Sequence, residues 1–144
     1  DFIVGFPGET AADFEASMRL IDAVGFDQGF SFLYSARPGT PAAALVDETP
    51  MAEKEARLAR LQVAVQSNGR RYCEGLLGTL QHVLVEGPSV KNPTELTGRI
   101  DCNRWVNFAG PANWIGQMIP VRIVALKSNS LRGEVYDAKA ALHA

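Results

Sequence analysis

The first ten residues of the chain constrain its fold more than any other stretch. Four apolar side chains, Phe2, Ile3, Val4 and Phe6, come almost without interruption before a turn of glycine and proline. Such a run predicts a strand that is buried on both faces, as in a parallel sheet, and Thr10 then has the chemistry of a helix N-cap. Because ligands bind where parallel strands end, we expect the turn after this strand to face a ligand.

The next sixty residues predict a strand–helix–strand–helix arrangement. Apolar residues at helical spacing predict a helix over 11–24. Alternating aromatic residues predict a second strand over 26–34, parallel to the first. Thr49 and Pro50 have the chemistry of a helix start, and the apolar stripe after them predicts a long helix to about residue 72. Residues 1–72 are therefore expected to form an α/β unit.

The segment between the second strand and the second helix excludes regular structure, because it contains two prolines and a glycine. It leaves the same end of the sheet as the first turn, since both follow parallel strands. Arg37 is therefore expected beside the turn over 5–9, where its guanidinium would bind a carboxylate or a phosphate. The alternative is a tight turn whose glycines only supply unusual backbone angles, next to an ordinary loop cation.

After about residue 72, helical spacing gives way to short strands separated by turn residues. Five strands are predicted, over 79–86, 96–100, 105–108, 118–126 and 131–136. Five short antiparallel strands favour a small closed or nearly closed barrel, because closure leaves no unpaired edge. The predicted fold class is thus α/β, with βαβα order over residues 1–72, followed by an all-β, OB-like small barrel over residues 73–144.

Cations and flat side chains are interleaved along this second half. The pattern suits a surface for single-stranded RNA, because cations pair with phosphates and rings stack on bases. In the alternative interpretation the rings fill the barrel and the cations are solvated. Alternation along the third predicted barrel strand, however, puts Trp105 and Arg104 on opposite faces, so at least one aromatic ring of this strand is expected to point outward. The candidate RNA-binding residues are His82, Arg99, Arg104, Trp105, Lys127 and Arg132.

Composition excludes several other classes of function. The net charge of −2 gives no overall basic signal for nucleic acid, and no apolar run approaches the roughly 20 residues of a membrane span, so no membrane partner is expected. Cys73 and Cys102 cannot form a metal site without other ligands, and they are expected to be reduced thiols in a cytoplasmic protein. The residues predict neither a catalytic constellation nor a metal site.

Six stretches, taken together and in order, resemble the C-terminal part of the bacterial radical S-adenosylmethionine (SAM) methylthiotransferases, and the branch that acts on tRNA in particular. These are DFIVGFPGET, YSARPGTPA, VLVEG, LTGR, NRWVNF and NSLRGE. The resemblance implies that residues 1–72 are the C-terminal part of a radical SAM α/β barrel. It implies that residues 73–144 are a TRAM domain, which is the tRNA-binding module of that family.

The resemblance also implies a function for the parent protein. The tRNA branch adds a methylthio group to N6-isopentenyladenosine next to the anticodon, with S-adenosylmethionine and two 4Fe-4S iron–sulfur clusters as cofactors. The expected partners are the tRNA anticodon stem-loop and the rest of the parent chain. The residues implied to line the cofactor side are Gly5, Phe6, Pro7, Gly8, Glu9, Tyr34 and Arg37.

The family's cluster-binding cysteine motif is absent from these residues, so this part alone is expected to bind no cluster and to be inactive. Two alternatives remain open. The related branch of the family methylthiolates a ribosomal protein. A barrel of this kind can also be a generic module for binding RNA or protein.

Overall fold

A computed structural model describes residues 1–137, which include two compact units. The first unit is Asp1–Tyr72 and the second begins at Cys73. The sequence predicts its boundary between residues 72 and 73, and residues 138–144 of the predicted barrel domain lie outside the described part. Among the helices described, none is long and apolar enough to cross a membrane.

The first unit begins with the predicted order of strands and helices. Its elements are β1 (Phe2–Val4), α1 (Ala11–Val24), β2 (Ser31–Leu33) and the start of α2 (Met51–Leu76), with a short 3-10 helix at Pro41–Ala44. β1 and β2 pair in parallel, with Ile3 opposite Phe32. The predicted capping box at the start of α1 is present, because Thr10 Oγ1 accepts from Asp13 N while Asp13 Oδ2 accepts from Thr10 N.

The second strand is shorter than the predicted span of 26–34. Only Ser31–Leu33 forms a ladder, since its partner β1 is itself three residues long. Phe30, which alternation placed in the strand, is 73% exposed. The long helix differs in the opposite direction and continues to Leu76, four residues beyond its predicted end.

The core of the first unit lies between the helices and the small sheet. It consists of Val4, Phe14, Ile21, Leu61 and Val65. The buried face of α2 includes polar as well as apolar residues, since Lys54, Arg57 and Asn68 are also buried. One of these, Asn68, joins α2 to the segment after α1 by donating from Nδ2 to the carbonyl of Phe26 at 3.1 Å.

The second unit is a closed barrel of five strands, as predicted. The strands are β3 (Leu80–Pro88), β4 (Glu95–Arg99), β5 (Trp105–Ala109), β6 (Met118–Leu126) and β7 (Leu131–Val135), and they close in the order β3-β4-β5-β7-β6. The expectation of purely antiparallel pairing is wrong, because β5 and β7 run parallel, with Val106 opposite Leu131. A ring with an odd number of strands cannot alternate direction all the way round, so at least one neighbouring pair must be parallel.

Side chains alternate across the barrel wall in the way the sequence indicates. On β5, Val106 and Phe108 are fully buried, whereas Trp105 and Asn107 lie on the outer face. The inward residues of the other strands complete one apolar core, which includes Val83, Val85, Leu96, Val121 and Ile123. The outer face is therefore the surface available for recognition.

Candidate functional site

The turn after β1 is held in one conformation by two glycines. Gly5 and Gly8 have φ angles of 78° and 89°, which favour glycine. The amide of Glu9 donates to the carbonyl of Phe6 at 2.9 Å and closes the turn. Phe6 itself packs edge-to-face against Tyr34, with ring centroids 5.1 Å apart. The structure therefore brings together the two loops that the sequence placed at one end of the sheet.

The Glu9 side chain is turned away from solvent and contacts other residues of the first unit. Its Oε1 accepts from Gly5 N at 3.3 Å and from Arg57 Nη1 at 3.2 Å, and the side chain of Glu9 is only 13% exposed. Arg57 also donates to the backbone carbonyl of Glu9 at 3.2 Å and to Glu53 Oε1 at 2.5 Å. Sequence reasoning missed Arg57. Arg57 lies four positions before Leu61, on the same face of the helix. Charged side chains are usually exposed to solvent, so the sequence alone does not indicate that this one is buried.

Two features at this end of the sheet fit a bound polar ligand. The Tyr34 hydroxyl is inaccessible to solvent, and no hydrogen-bond partner for it is found within residues 1–137. A Cβ at Gly8 would meet nothing within 4 Å, so a ligand can approach the backbone there. Arg37 is exposed, and no hydrogen bond or ion pair joins its guanidinium to the turn in the described part of the chain.

The described residues do not fit an iron–sulfur cluster. Over residues 1–137, no group of three or more histidine, cysteine, aspartate or glutamate side chains is arranged to hold a metal ion. Cys73 and Cys102 are free thiols, and Cys73 Sγ accepts a hydrogen bond from Arg104 Nε at 3.0 Å.

On the barrel, a guanidinium lies over an exposed aromatic ring. The Cζ of Arg99 is 4.3 Å from the ring centroid of Trp105, which is 38% exposed. The two residues are register partners on β4 and β5. Leu84 and Met118 continue the same row onto β3 and β6, and both are exposed. Four neighbouring strands thus present a row of cationic, aromatic and apolar surface.

Two neighbours hold the Arg99 side chain in place. Asn103 Oδ1 accepts from Arg99 Nη1 at 2.9 Å, and Glu86 Oε1 lies 3.0 Å from Arg99 Nε. Asn103 occupies a turn with φ of 64°, a conformation that asparagine tolerates better than most residues. Glu86 lies where the β3–β4 register shifts between Val85 and Gly87, and its side chain is on the outer face, like that of Leu84. The turn-forming asparagine after β4 can be recognised in the sequence, whereas no local pattern indicates that Glu86 pairs with Arg99.

Arg132 lies on β7, which pairs with β5 on the side away from β4. It lies opposite Asn107, which is opposite Thr97 on β4. We call the outer surface formed by Thr97, Arg99, Trp105, Asn107 and Arg132 the β5 face. Of the six predicted RNA-binding residues, the structure brings Arg99, Trp105 and Arg132 together on it.

The other three predicted RNA-binding residues lie elsewhere. His82 is exposed on β3, opposite Pro120 of β6, and Lys127 is exposed in the turn between β6 and β7. Arg104 is 8% exposed, because it precedes Trp105 and so points to the opposite side of the wall. A buried guanidinium is not presented to a large partner, so Arg104 is left out of the candidate surface.

Arg132 is paired with a carboxylate. Its Nη1 donates to Glu95 Oε2 at 2.6 Å. This hydrogen bond lowers the pKa of the Glu95 carboxyl and raises the pKa of the Arg132 guanidinium. The charges of the β5 face are therefore partly neutralised within the barrel itself.

The Glu95→Gln variant is expected to lose about 0.5 kcal/mol of stability at pH 7, the scale of a partly exposed ion pair. Because the folded-state pKa of Glu95 lies below its ordinary value of 4.5, the wild-type advantage is complete above that value. It disappears as the pH falls through the lowered pKa. Urea unfolding of both proteins from pH 7 to pH 3 checks this, and a difference that stays constant with pH would contradict it.

Comparison with known proteins finds similarity over both units of the chain. Residues 76–136, which contain all five barrel strands, match the family model of the TRAM domain. The chain is 59% identical over 135 residues to the tRNA-2-methylthio-N(6)-dimethylallyladenosine synthase of Alkalilimnicola ehrlichii, which covers 94% of this chain and 30% of that protein. The synthase of Nitrosomonas eutropha is 55% identical over 137 residues, covering 95% of this chain and 31% of that protein.

The synthase of Xanthomonas euvesicatoria is 56% identical over 135 residues, covering 94% of this chain and 28% of that protein. The chain thus spans about 30% of the length of the curated relatives it matches. These similarities confirm the resemblance seen in the sequence motifs. The chain therefore contains a TRAM domain at residues 76–136 and is related, over nearly its whole length, to part of the tRNA-2-methylthio-N(6)-dimethylallyladenosine synthases.

Proposed function

We propose that this chain is the C-terminal part of a radical SAM tRNA methylthiotransferase of the cytoplasm. Its TRAM barrel binds the tRNA anticodon stem-loop, and residues 1–72 form part of the wall that faces S-adenosylmethionine. The whole protein adds a methylthio group to N6-isopentenyladenosine next to the anticodon. S-adenosylmethionine and two 4Fe-4S clusters supply the radical chemistry when bound, and the cluster ligands lie outside these residues.

The observation that carries the RNA-binding role is the stack of Arg99 on Trp105. Unpaired bases stack on exposed aromatic rings and on guanidinium planes, and each stacked base contributes about 1–3 kcal/mol. Asn103 and Glu86 already hold the guanidinium beside the ring, so binding costs little side-chain entropy. The same guanidinium can exchange Glu86 for a phosphate, which forms stronger bidentate contacts.

The cofactor-side role of the first unit is supported by the loops after β1 and β2. Gly8 leaves the backbone open to a ligand, and the Tyr34 hydroxyl is a buried donor with unused hydrogen-bonding capacity in the described residues. The edge-to-face ring pair of Phe6 and Tyr34 adds apolar aromatic surface to these loops. Backbone, hydroxyl and aromatic surface together suit a nucleoside-containing cofactor.

The binding half of the proposal is tested with the 144-residue chain and a fluorescently labelled anticodon stem-loop. Anisotropy titrations between about 50 and 200 mM salt are expected to show binding that weakens as salt rises, because phosphate contacts release counterions. A fully paired RNA duplex of equal length serves as the control and is expected to bind more weakly. Absence of binding, or binding without salt dependence, would overturn the RNA-binding role.

The identity of the acceptor is tested with the full-length protein that contains this chain. Methylthio transfer to isopentenylated tRNA supports the proposal. Transfer to a ribosomal protein instead would place the protein in the related branch of the family. It would also assign the barrel to protein recognition.

The Glu86→Gln variant is expected to bind the anticodon stem-loop about threefold more tightly, because it frees Arg99 from an exposed ion pair worth up to about 1 kcal/mol. Glu55→Gln is the matched control, since it removes the same charge from an exposed position of α2 in the first unit. The same anisotropy titration measures both. An equal gain in the two variants would show that overall charge, and not Arg99, controls the affinity.

A further inference from the structure

Two cations of α2 are buried beside the loops at the end of the small sheet. Lys54 is 6% exposed and Arg57 is 8% exposed, and both lie on the stripe that continues into Leu61. Burying a charge costs free energy unless the charge is paired. Even a well-paired buried ion pair seldom adds net stability over apolar residues of similar volume. These two cations therefore contribute little net stability, and their role lies in the segments that they contact.

Arg57 holds the turn after β1 at both backbone and side chain. Its Nη1 donates to the carbonyl and to the carboxylate of Glu9, each at 3.2 Å, while Nη2 is fixed by Glu53 at 2.5 Å. The guanidinium also lies over the Phe14 ring, 5.8 Å from its centroid. The Glu9 carboxylate passes the constraint on to Gly5 by accepting from its amide. One planar side chain thus fixes both ends of the turn.

Lys54 contacts both loops. Its aliphatic stem packs against Gly5 so closely that a Cβ there would lie 2.7 Å from Lys54 Cδ. Its ammonium forms an ion pair with Asp47, which belongs to the segment after β2. The first turns of α2 therefore hold the loop after β1 and the segment after β2 at the same time.

We propose that Arg57 and Lys54 are positioning residues, through which α2 keeps the two strand-end loops in the conformation that receives the cofactor. This inference rests on the proposed function, because it assigns these loops to the SAM side. Arg57 acts on the turn over residues 5–9 through Glu9. Lys54 acts on Asp47 and on the backbone at Gly5. Neither residue is a catalytic group.

The chain provides a matched control in Arg60. Its Cζ lies 5.6 Å from the centroid of the same Phe14 ring, and its guanidinium pairs with Glu15 of α1. Arg60 is half-exposed, and no hydrogen bond or ion pair links it to the turn over 5–9 in the described residues. Arg57→Lys and Arg60→Lys are equal chemical changes on one helix, and only the first removes the fork that holds the turn.

Hydrogen exchange on the 144-residue chain tests the positioning role directly. Arg57→Lys is expected to speed amide exchange over residues 5–10 about tenfold, while Arg60→Lys leaves it unchanged. Glu9→Gln is the milder second variant, since it keeps the contact to the carbonyl, and it is expected to give a smaller increase. Lys54→Met is expected to speed exchange near Asp47 because the ion pair is lost. Equal exchange in the Arg57→Lys and Arg60→Lys variants would overturn the inference.

Steady-state kinetics of the full-length protein test the cofactor-side assignment separately. Arg57→Lys is expected to raise the KM for S-adenosylmethionine about tenfold, with little change in kcat and none in tRNA affinity. Faster exchange over residues 5–10 with an unchanged KM would keep the positioning role and overturn the assignment of this loop to S-adenosylmethionine. Unchanged exchange overturns the positioning role whatever the KM, so the two failures are distinguishable.

Discussion

Replacing Gly98 with alanine is expected to unfold the barrel or to destabilise it severely. A Cβ at this position would lie 2.2 Å from the carbonyl oxygen of Leu84 and 2.6 Å from Cγ1 of Val83. The first of these atoms is backbone in the neighbouring strand, so relief requires separating β3 from β4. Overpacking a core side chain costs about 1–3 kcal/mol. A backbone clash costs more, against a total stability of about 5–15 kcal/mol for a domain.

Gly87→Ala is the control for this experiment. Gly87 lies on β3 opposite Thr97, one position along the same strand pair, and a Cβ there would meet nothing within 4 Å. Thermal unfolding followed by tryptophan fluorescence is expected to show a near wild-type midpoint for Gly87→Ala and no cooperative barrel transition for Gly98→Ala. A Gly98→Ala midpoint close to that of Gly87→Ala would contradict the close approach of the two strands.

Replacing Trp105 with alanine is expected to weaken binding of the anticodon stem-loop by about ten- to a hundredfold, the loss of one stacked base. Stability should change little, because the ring lies on the outer face and contributes nothing to the barrel core. The salt dependence of binding should remain the same, since the indole makes no phosphate contact. Arg99→Ala is expected instead to reduce the slope of log affinity against log salt by about one.

Tyr136→Ala is the matched control for Trp105→Ala. Tyr136 also carries a guanidinium over its ring, that of Arg122 at 5.5 Å, but it is not part of the β5 face. If the β5 face binds RNA, Tyr136→Ala retains wild-type affinity in the same titration. Equal losses in both variants would show that the barrel has no single stacking surface.

The positions of most elements could be predicted, because they depend on local patterns. The helix over 11–24 and the strand over 118–126 have the predicted bounds, since spacing, caps and alternation act within a few residues. The second strand of the sheet was predicted too long. The aromatic alternation that marked it is a property of that segment alone, whereas its paired length depends on β1.

The candidate sites were only partly predictable, for a related reason. Alternation correctly separated Trp105 from Arg104, but it could not show which cation would be buried or against what. The partner of Glu9 is Arg57, 48 positions away, and the partner of Arg132 is Glu95, 37 positions away. No local pattern selects one distant partner among many charges of the right sign.

The sequence by itself determined the order and type of the elements and the motifs that relate the chain to tRNA methylthiotransferases. These follow from hydrophobic periodicity, turn chemistry and residue identity, which are written along the chain. Only the tertiary structure decided that α2 holds the turn at Glu9, that Glu86 pairs with Arg99, and that Arg104 is buried. Each depends on contacts between segments that are remote in sequence, and these contacts form only when the chain has packed.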